Sequence, residues 1–140
     1  MQTKIFKMSE TCIDYKGITD CAHIIKKGGV VAFPTETVYG LGVARENRRA
    51  LKRLHEIKGR PKQKPFTVHI GPYHRIEDFT SDKSVGIYKL IDKFWPGPLT
   101  LILKGKEKEG KVGLRCPANK IAQELINRSV KIIVATSANL

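Results

Sequence analysis

The sequence predicts an α/β fold in which helices pack on one twisted sheet. Short apolar runs of strand length alternate with segments whose apolar residues recur at helical spacing, from Val30 to Ala135. Gly, Pro and Asn residues punctuate the boundaries between them. The 140 residues, 41% hydrophobic, fit one compact domain, and a chain of this length buries roughly two-thirds of the surface its unfolded form exposes. A single domain over residues 1–140 is therefore expected, with no need of a disulfide or structural metal.

Each element has its own signal. Thr19 is an expected N-cap, with Ala22, Ile25 and a Gly28-Gly29 stop marking a short helix that leads into the strand Val30 to Phe33, which Pro34 ends. After the segment Thr35 to Gly42, Asn47 caps a helix with Leu51, Leu54 and Ile57 on one face, closed by Gly59 and Pro61. Pro65 to Ile70 reads as a buried strand, Ser84 to Trp95 as a helix presenting Tyr88, Ile91 and Trp95, and Pro96-Gly97-Pro98 as a turn. Leu99 to Lys104 and Val112 to Arg115 read as strands around a charged hairpin or loop, Lys104 to Lys111. Asn119 caps a helix bearing Ile121, Leu125 and Ile126, and Lys131 to Ala135 is a last apolar strand. Polar segments directly follow two strands, Thr35 to Thr37 and Thr136 to Asn139, and ligands of open α/β sheets gather beyond strand ends.

The charge balance narrows the partners. There are 26 Lys plus Arg against 13 Asp plus Glu, a net charge of +13, a bias that attracts polyanions such as nucleotides or RNA; a solvated lysine surface gives the same count. Arg45 to Lys64 carries nine of the basic residues and two acids, Glu46 and Glu56. Within it Lys58, Arg60, Lys62 and Lys64 alternate, so an extended backbone would project them to one side as a clamp for several phosphates; the competing reading is a solvated helix end. Cys12, Cys21 and Cys116 make no CxxC pair, which predicts neither a disulfide framework nor a zinc ribbon and fits a reducing cytosol. The longest apolar runs are far short of the about 20 residues of a spanning helix, and no signal-peptide core is present. A cytoplasmic chain without membrane contact is expected.

No GxxxxGK[ST] loop is present, and Gly40-Leu41-Gly42 lacks the third glycine of a dinucleotide fingerprint, marking only a close backbone approach. A triphosphate would be held by side chains. His69, in an apolar run, reads equally as a ligand to a small substrate or as a satisfied core histidine. Arg115, at an apolar strand end, suits bidentate capture of a carboxylate, either a substrate's or a structural one. Glu36 stands open as general base, metal ligand or helix-cap anion. Ser137 has no GxSxG context, which disfavours a nucleophilic serine; with Asn139 it suits a phosphate or hydrated cation, or a plain Ser or Asx turn. No cluster of protein ligands for a metal is read from the sequence.

Together, Phe33 to Gly42 (FPTETVYGLG), Lys58-Gly59-Arg60-Pro61, His69, Trp95 to Thr100, Val112 to Pro117 and Ser137-Ala138-Asn139 closely resemble the YrdC family of threonylcarbamoyl-adenylate synthases, over about Ile18 to Leu140. The resemblance implies a YrdC-like mixed, twisted sheet with flanking helices and a basic concave cleft. It implies formation of threonylcarbamoyl-AMP from L-threonine, bicarbonate and ATP with Mg2+, feeding the t6A modification of tRNA at position 37 through a downstream threonylcarbamoyl transferase. By the same resemblance Lys58 and Arg60 grip the triphosphate, with Lys64, Ser137 and Asn139 at the nucleotide and its Mg2+, while Thr35, His69 and Arg115 hold threonine.

Two departures stand out. Phe66 occupies a position where the family usually has leucine, and the chain ends one residue after Asn139, where related domains continue for several tens of residues. The domain is thus expected to lack its C-terminal part and to be completed by further residues, a partner or a second copy in a homodimer. Two other functions compete: a non-catalytic RNA-binding protein, consistent with the +13 charge but lacking interleaved aromatics, and a hydrogenase-maturation carbamoyltransferase domain using carbamoyl phosphate, against which the absent flanking modules weigh.

Overall fold

The computed structural model describes residues 2–106 and 109–139. Among these, six strands form one mixed sheet: β1 (Val31–Phe33), β2 (Gly40–Ala44), β3 (Thr67–His69), β4 (Thr100–Lys104), β5 (Lys111–Arg115) and β6 (Ile133–Ser137), in the order β1-β2-β6-β3-β5-β4. Only the β3–β5 pair is parallel. Four helices, α1 (Tyr15–Lys26), α2 (Arg48–Lys58), α3 (Val85–Phe94) and α4 (Lys120–Arg128), flank it. The α/β expectation holds, as do the caps of α2 and α4: Asn47 accepts from the Ala50 N–H, and Asn119 accepts from Ile121 and Ala122. Gly59 ends α2 in the left-handed region at φ 58°, a conformation that favours glycine.

Strand periodicity sorts the side chains into two layers. One sheet face carries Leu41, Val43, Val68, Leu101, Leu103, Val112, Leu114 and Val134 against residues of α2 and α3. The other carries Val31, Phe33, Ala44, Ile133 and Ala135 against α1 and α4. The second layer is incomplete: α1 contacts α4 and the β1 to β2 edge, while the side chains of β3, β5 and β4 on that face (Thr67, His69, Gly113, Arg115, Thr100 and Ile102) are not in the apolar cluster. Ile102 is 62% exposed. The sheet therefore offers a half-face that no helix of the described chain covers.

Several boundaries depart from the sequence reading. The N-cap of α1 is Asp14, which accepts from Gly17 N–H at 2.9 Å, and Thr19 lies inside the helix, donating to the Tyr15 carbonyl. Gly40 to Gly42 belongs to a strand: the Phe33 ring lies across these glycines, and a Cβ on Gly42 would meet it at 2.8 Å, so the close approach expected there is real. The strand read as Lys131 to Ala135 starts at Ile133 and runs on through Thr136 and Ser137, which pair with Leu41 and Gly40. Ile57 is exposed, because six residues of α-helix rotate it about 120° from Leu51; Ala50 and Leu54 are buried instead. β4 and β5 form the expected hairpin, whose residues 107 and 108, like Leu140, lie outside the described residues.

Candidate active site

The open half-face is organised by strand register. His69 and Arg115 are partners across the parallel β3–β5 pair, Thr100 faces Arg115 from β4, and Thr67 faces Ala135 of β6. At their end of the sheet lies a cavity of about 220 Å3 lined by Thr35, Arg60, Thr67, His69, Arg115 and Ser137, with Tyr39, Phe66 and Thr136 among its other walls. Five residues singled out in the sequence (Thr35, Arg60, His69, Arg115 and Ser137) thus converge from five separate segments. Arg60, Phe66 and Thr67 continue into a neighbouring groove of about 680 Å3, where Lys62, Lys64 and Lys111 join them above Gly113 and Ile102.

Arg115 is the charged centre of the cavity. Its Nη2 donates to Glu36 Oε1 and, at 3.0 Å, to Thr37 Oγ1. Glu36 Oε2 accepts from the Ala118 N–H at 2.5 Å, so this carboxylate fastens the β1–β2 connection to the chain leaving β5. Of the roles open to Glu36, this geometry is nearest the helix-cap anion, since Ala118 directly precedes the Asn119 N-cap of α4. The Arg115 Nε is buried and has no partner among the described residues, and an unpaired buried donor costs about 1–3 kcal/mol. Thr35 donates from Oγ1 to the Val38 carbonyl at 2.5 Å and accepts from Thr37 N–H, which shapes the same loop.

His69 is 6% exposed and stands edge-on to Phe33, ring centroids 5.8 Å apart. Burial, seconded by the Arg115 charge and opposed by the Thr67 hydrogen bond and by Glu36, pushes its pKa down to about 4. The ring is neutral at pH 7. Its Nδ1 donates to the Thr67 carbonyl at 2.9 Å, which leaves Nε2 as an acceptor. His69 is thus a satisfied buried histidine that also lines the cavity.

The cationic clamp departs from its extended form. Gly59 turns the chain, Lys64 N–H closes a turn on the Pro61 carbonyl at 3.0 Å, and Arg60 donates from Nε to Lys64 O and from Nη2 to Pro65 O, both at 3.1 Å. Lys62 and Lys64 therefore line the groove and not the cavity. Lys58 Nζ donates to the Asn139 carbonyl, which places these two residues together but outside the cavity lining. Among the described residues no group of three or more His, Cys, Asp or Glu is placed to hold a metal ion.

The family whose model matches residues 23–140 is that of Sua5, YciO and YrdC, described as telomere recombination. The chain belongs to the Sua5/YciO/YrdC family. Within it, the chain is similar to the threonylcarbamoyl-AMP synthases of Pyrococcus abyssi, 39% identical over 146 residues, and of Bacillus subtilis, 41% identical over 132 residues. These matches take in 99% and 88% of this chain but 43% and 38% of those proteins, so the chain spans about two-fifths of the length of these curated relatives. A crystal structure of P. abyssi Sua5 complexed with L-threonine superposes with a TM-score of 0.90 at 39% identity, covering 98% of this chain and 42% of that one.

The cavity residue of this Sua5/YciO/YrdC chain hardest to see in the sequence is Thr67, which lies outside the motifs and reaches the cavity through its register opposite Ala135 of β6.

Proposed function

We propose that this chain carries the substrate site of a threonylcarbamoyl-AMP synthase, which joins L-threonine, bicarbonate and ATP into threonylcarbamoyl-AMP, with release of pyrophosphate and water. The observation that carries the reading is the convergence of Thr35, His69, Arg115, Arg60 and Ser137 on one cavity of about 220 Å3 beside a cationic groove. Sites for drug-sized ligands run about 300–1,000 Å3. The cavity alone is thus scaled to an amino acid, and the groove of about 680 Å3 to a nucleotide. The relatives named as synthases, and the Sua5 structure complexed with L-threonine, support threonine and ATP as the substrates.

The chemistry assigns a task to each group. Arg115, with Nη2 committed to Glu36 and Thr37, offers its remaining N–H donors to the threonine carboxylate, a charge-assisted pairing that arginine favours. Neutral His69 accepts through Nε2 from the amine or hydroxyl, and Thr35 closes the opposite wall. The carbamate formed from the amine and bicarbonate is a weak oxygen nucleophile that attacks the α-phosphorus, the new P–O bond forming as the bond to pyrophosphate breaks. Positioning and charge neutralisation supply the rate in such transfers. Arg60 spends two of its five donors on backbone carbonyls and keeps the others for phosphate oxygens. Lys58 brings its charge to the strand end where Ser137 and Asn139 stand, and Lys64 contributes from the groove.

Mg2+ fits this arrangement only as a companion of the nucleotide. The oxygen donors at the end of β6 are the Ser137 hydroxyl and the Asn139 amide, a hard but uncharged set, suited to an ion that keeps waters and is held mainly by phosphates. Bound there, it would neutralise charge on the triphosphate. A second reading, non-catalytic RNA binding, is favoured by the cations along the groove, Arg60, Lys62, Lys64 and Lys111. It predicts affinity for RNA that falls steeply with salt and no response to threonine.

The deciding experiment is calorimetric titration of L-threonine and of MgATP, followed by pyrophosphate release on the same sample. Release that needs both threonine and bicarbonate supports the synthase. Absence of threonine binding overturns it. On this reading a tRNA-directed transferase consumes the mixed anhydride downstream of the site.

A further inference from the structure

We infer that His55 and Phe66 are positioning residues for the Arg60 guanidinium, an inference that rests on reading Arg60 as a phosphate ligand. Three contacts build the relation. The His55 ring stacks on Phe66 with centroids 4.4 Å apart and planes tilted by 36°. The Arg60 guanidinium carbon stands 5.6 Å from the centroid of the same ring. Two hydrogen bonds also join His55 and Arg60: the Arg60 N–H donates to the His55 carbonyl at 3.1 Å, and the His55 ring donates from Nδ1 to the Arg60 carbonyl at 3.1 Å.

The arrangement fixes a side chain that would otherwise be free. Arg60 follows a left-handed glycine in a turn, and an arginine there has extensive rotamer freedom to lose on binding phosphate. Here Nε and Nη2 are already committed to the Lys64 and Pro65 carbonyls, and the guanidinium lies near an aromatic ring that is 7% exposed. Phe66 in turn is backed by His55, which lines a separate cavity of about 350 Å3 together with Phe66. Phe66 thus stands between that cavity and the candidate active site, whose wall it shares with Arg60. Such support from outside the substrate cavity keeps a binding group in place before the ligand arrives.

Calorimetry on Phe66→Leu, Phe66→Tyr and His55→Ala, each alone and Phe66→Leu also with Arg60→Lys, tests the inference beside the 15N-detected Nε–H signal of Arg60. Phe66→Leu and His55→Ala are expected to raise the Kd for MgATP about five- to tenfold, and to shift the Arg60 Nε–H signal and weaken its exchange protection; His55→Ala, whose side chain lies outside the threonine cavity, leaves the Kd for L-threonine within about twofold. Phe66→Tyr restores the MgATP Kd and the Arg60 signal, and Phe66→Leu adds less than about twofold in the Arg60→Lys background. An unchanged MgATP Kd or an unmoved Arg60 signal overturns the inference, as does a parallel loss of both ligands in His55→Ala, which a merely structural role would give. A wild-type chain that failed to bind MgATP would instead overturn the nucleotide reading itself, an outcome distinct from binding that the variants leave untouched.

Discussion

Glu36 and Arg115 form an ion pair across the end of the sheet, with side chains only 22% and 14% exposed. They come from the β1–β2 connection and from β5, 79 residues apart in sequence. Exposed ion pairs contribute about 0–1 kcal/mol, but removing one partner of a largely buried pair leaves an uncompensated charge. Glu36→Gln and Arg115→Gln, singly and together, are therefore expected to give a coupling of about 1–2 kcal/mol in a double-mutant cycle by urea denaturation. Additivity within about 0.3 kcal/mol would show the pair to be decorative.

Arg115→Lys separates charge from shape. Lysine keeps the positive charge but offers a point donor in place of a planar fork. On the synthase reading, L-threonine binding weakens at least about tenfold in this variant, while MgATP binding stays within about twofold, both read by calorimetry. Equal threonine affinity would remove Arg115 from the carboxylate site.

The depressed pKa of His69 makes a stability statement. Its folded value of about 4 lies below the ordinary histidine value of 6.5, so the unfolded chain binds a proton that the folded chain refuses as pH falls through this window. Stability is fully present above about pH 6.5 and is lost progressively down to about pH 4. Between pH 7 and pH 5 the loss from this one group is about 2 kcal/mol. In His69→Gln that component is absent, so the difference in denaturation free energy between pH 7 and pH 5 shrinks by about this amount. An identical pH dependence in variant and wild type would exclude His69 as its source.

Local signals were legible where one residue decides the geometry. Asn47, Asn119 and Gly59 carry caps that their types require, and the alternation around Val68 and Leu114 marks buried strands. The extended backbone on which the Lys58 to Lys64 alternation depends is not adopted, because Gly59 and the turn at Pro61 reverse the chain. β2 was hidden because Gly40 and Gly42 look like a loop; their small size is demanded by the Phe33 ring, a contact made seven to nine residues away. Thr136 and Ser137 read as a connection because a strand that walls a polar cavity carries polar residues. The incomplete second layer, which creates the site, follows from which helices cover which strands, and strand order has no signature in one sequence. His55 gave no signal at all, since its relation to Arg60 runs through Phe66.

Gly42 and Gly113 stand on the same face of the sheet, yet substitution should expose opposite roles. A Cβ on Gly42 would meet Phe33 at 2.8 Å and Ile133 at 3.0 Å under the α1 and α4 layer, so Gly42→Ala overpacks the core at a cost of about 1–3 kcal/mol. A Cβ on Gly113 would meet Ile102 Cδ1 at 3.3 Å and Thr67 Oγ1 at 3.4 Å, contacts that side chains on the uncovered half can yield to. Gly113→Val also suits a strand, so its stability should stay within about 1 kcal/mol of wild type. Its branched side chain would stand in the floor of the cationic groove between Thr67 and Ile102. If the groove takes the nucleotide and the cavity takes threonine, MgATP affinity falls about tenfold or more while threonine affinity is unchanged. Equal losses for both ligands would mean that they share one space, and an unaffected MgATP affinity would place the nucleotide elsewhere on the sheet.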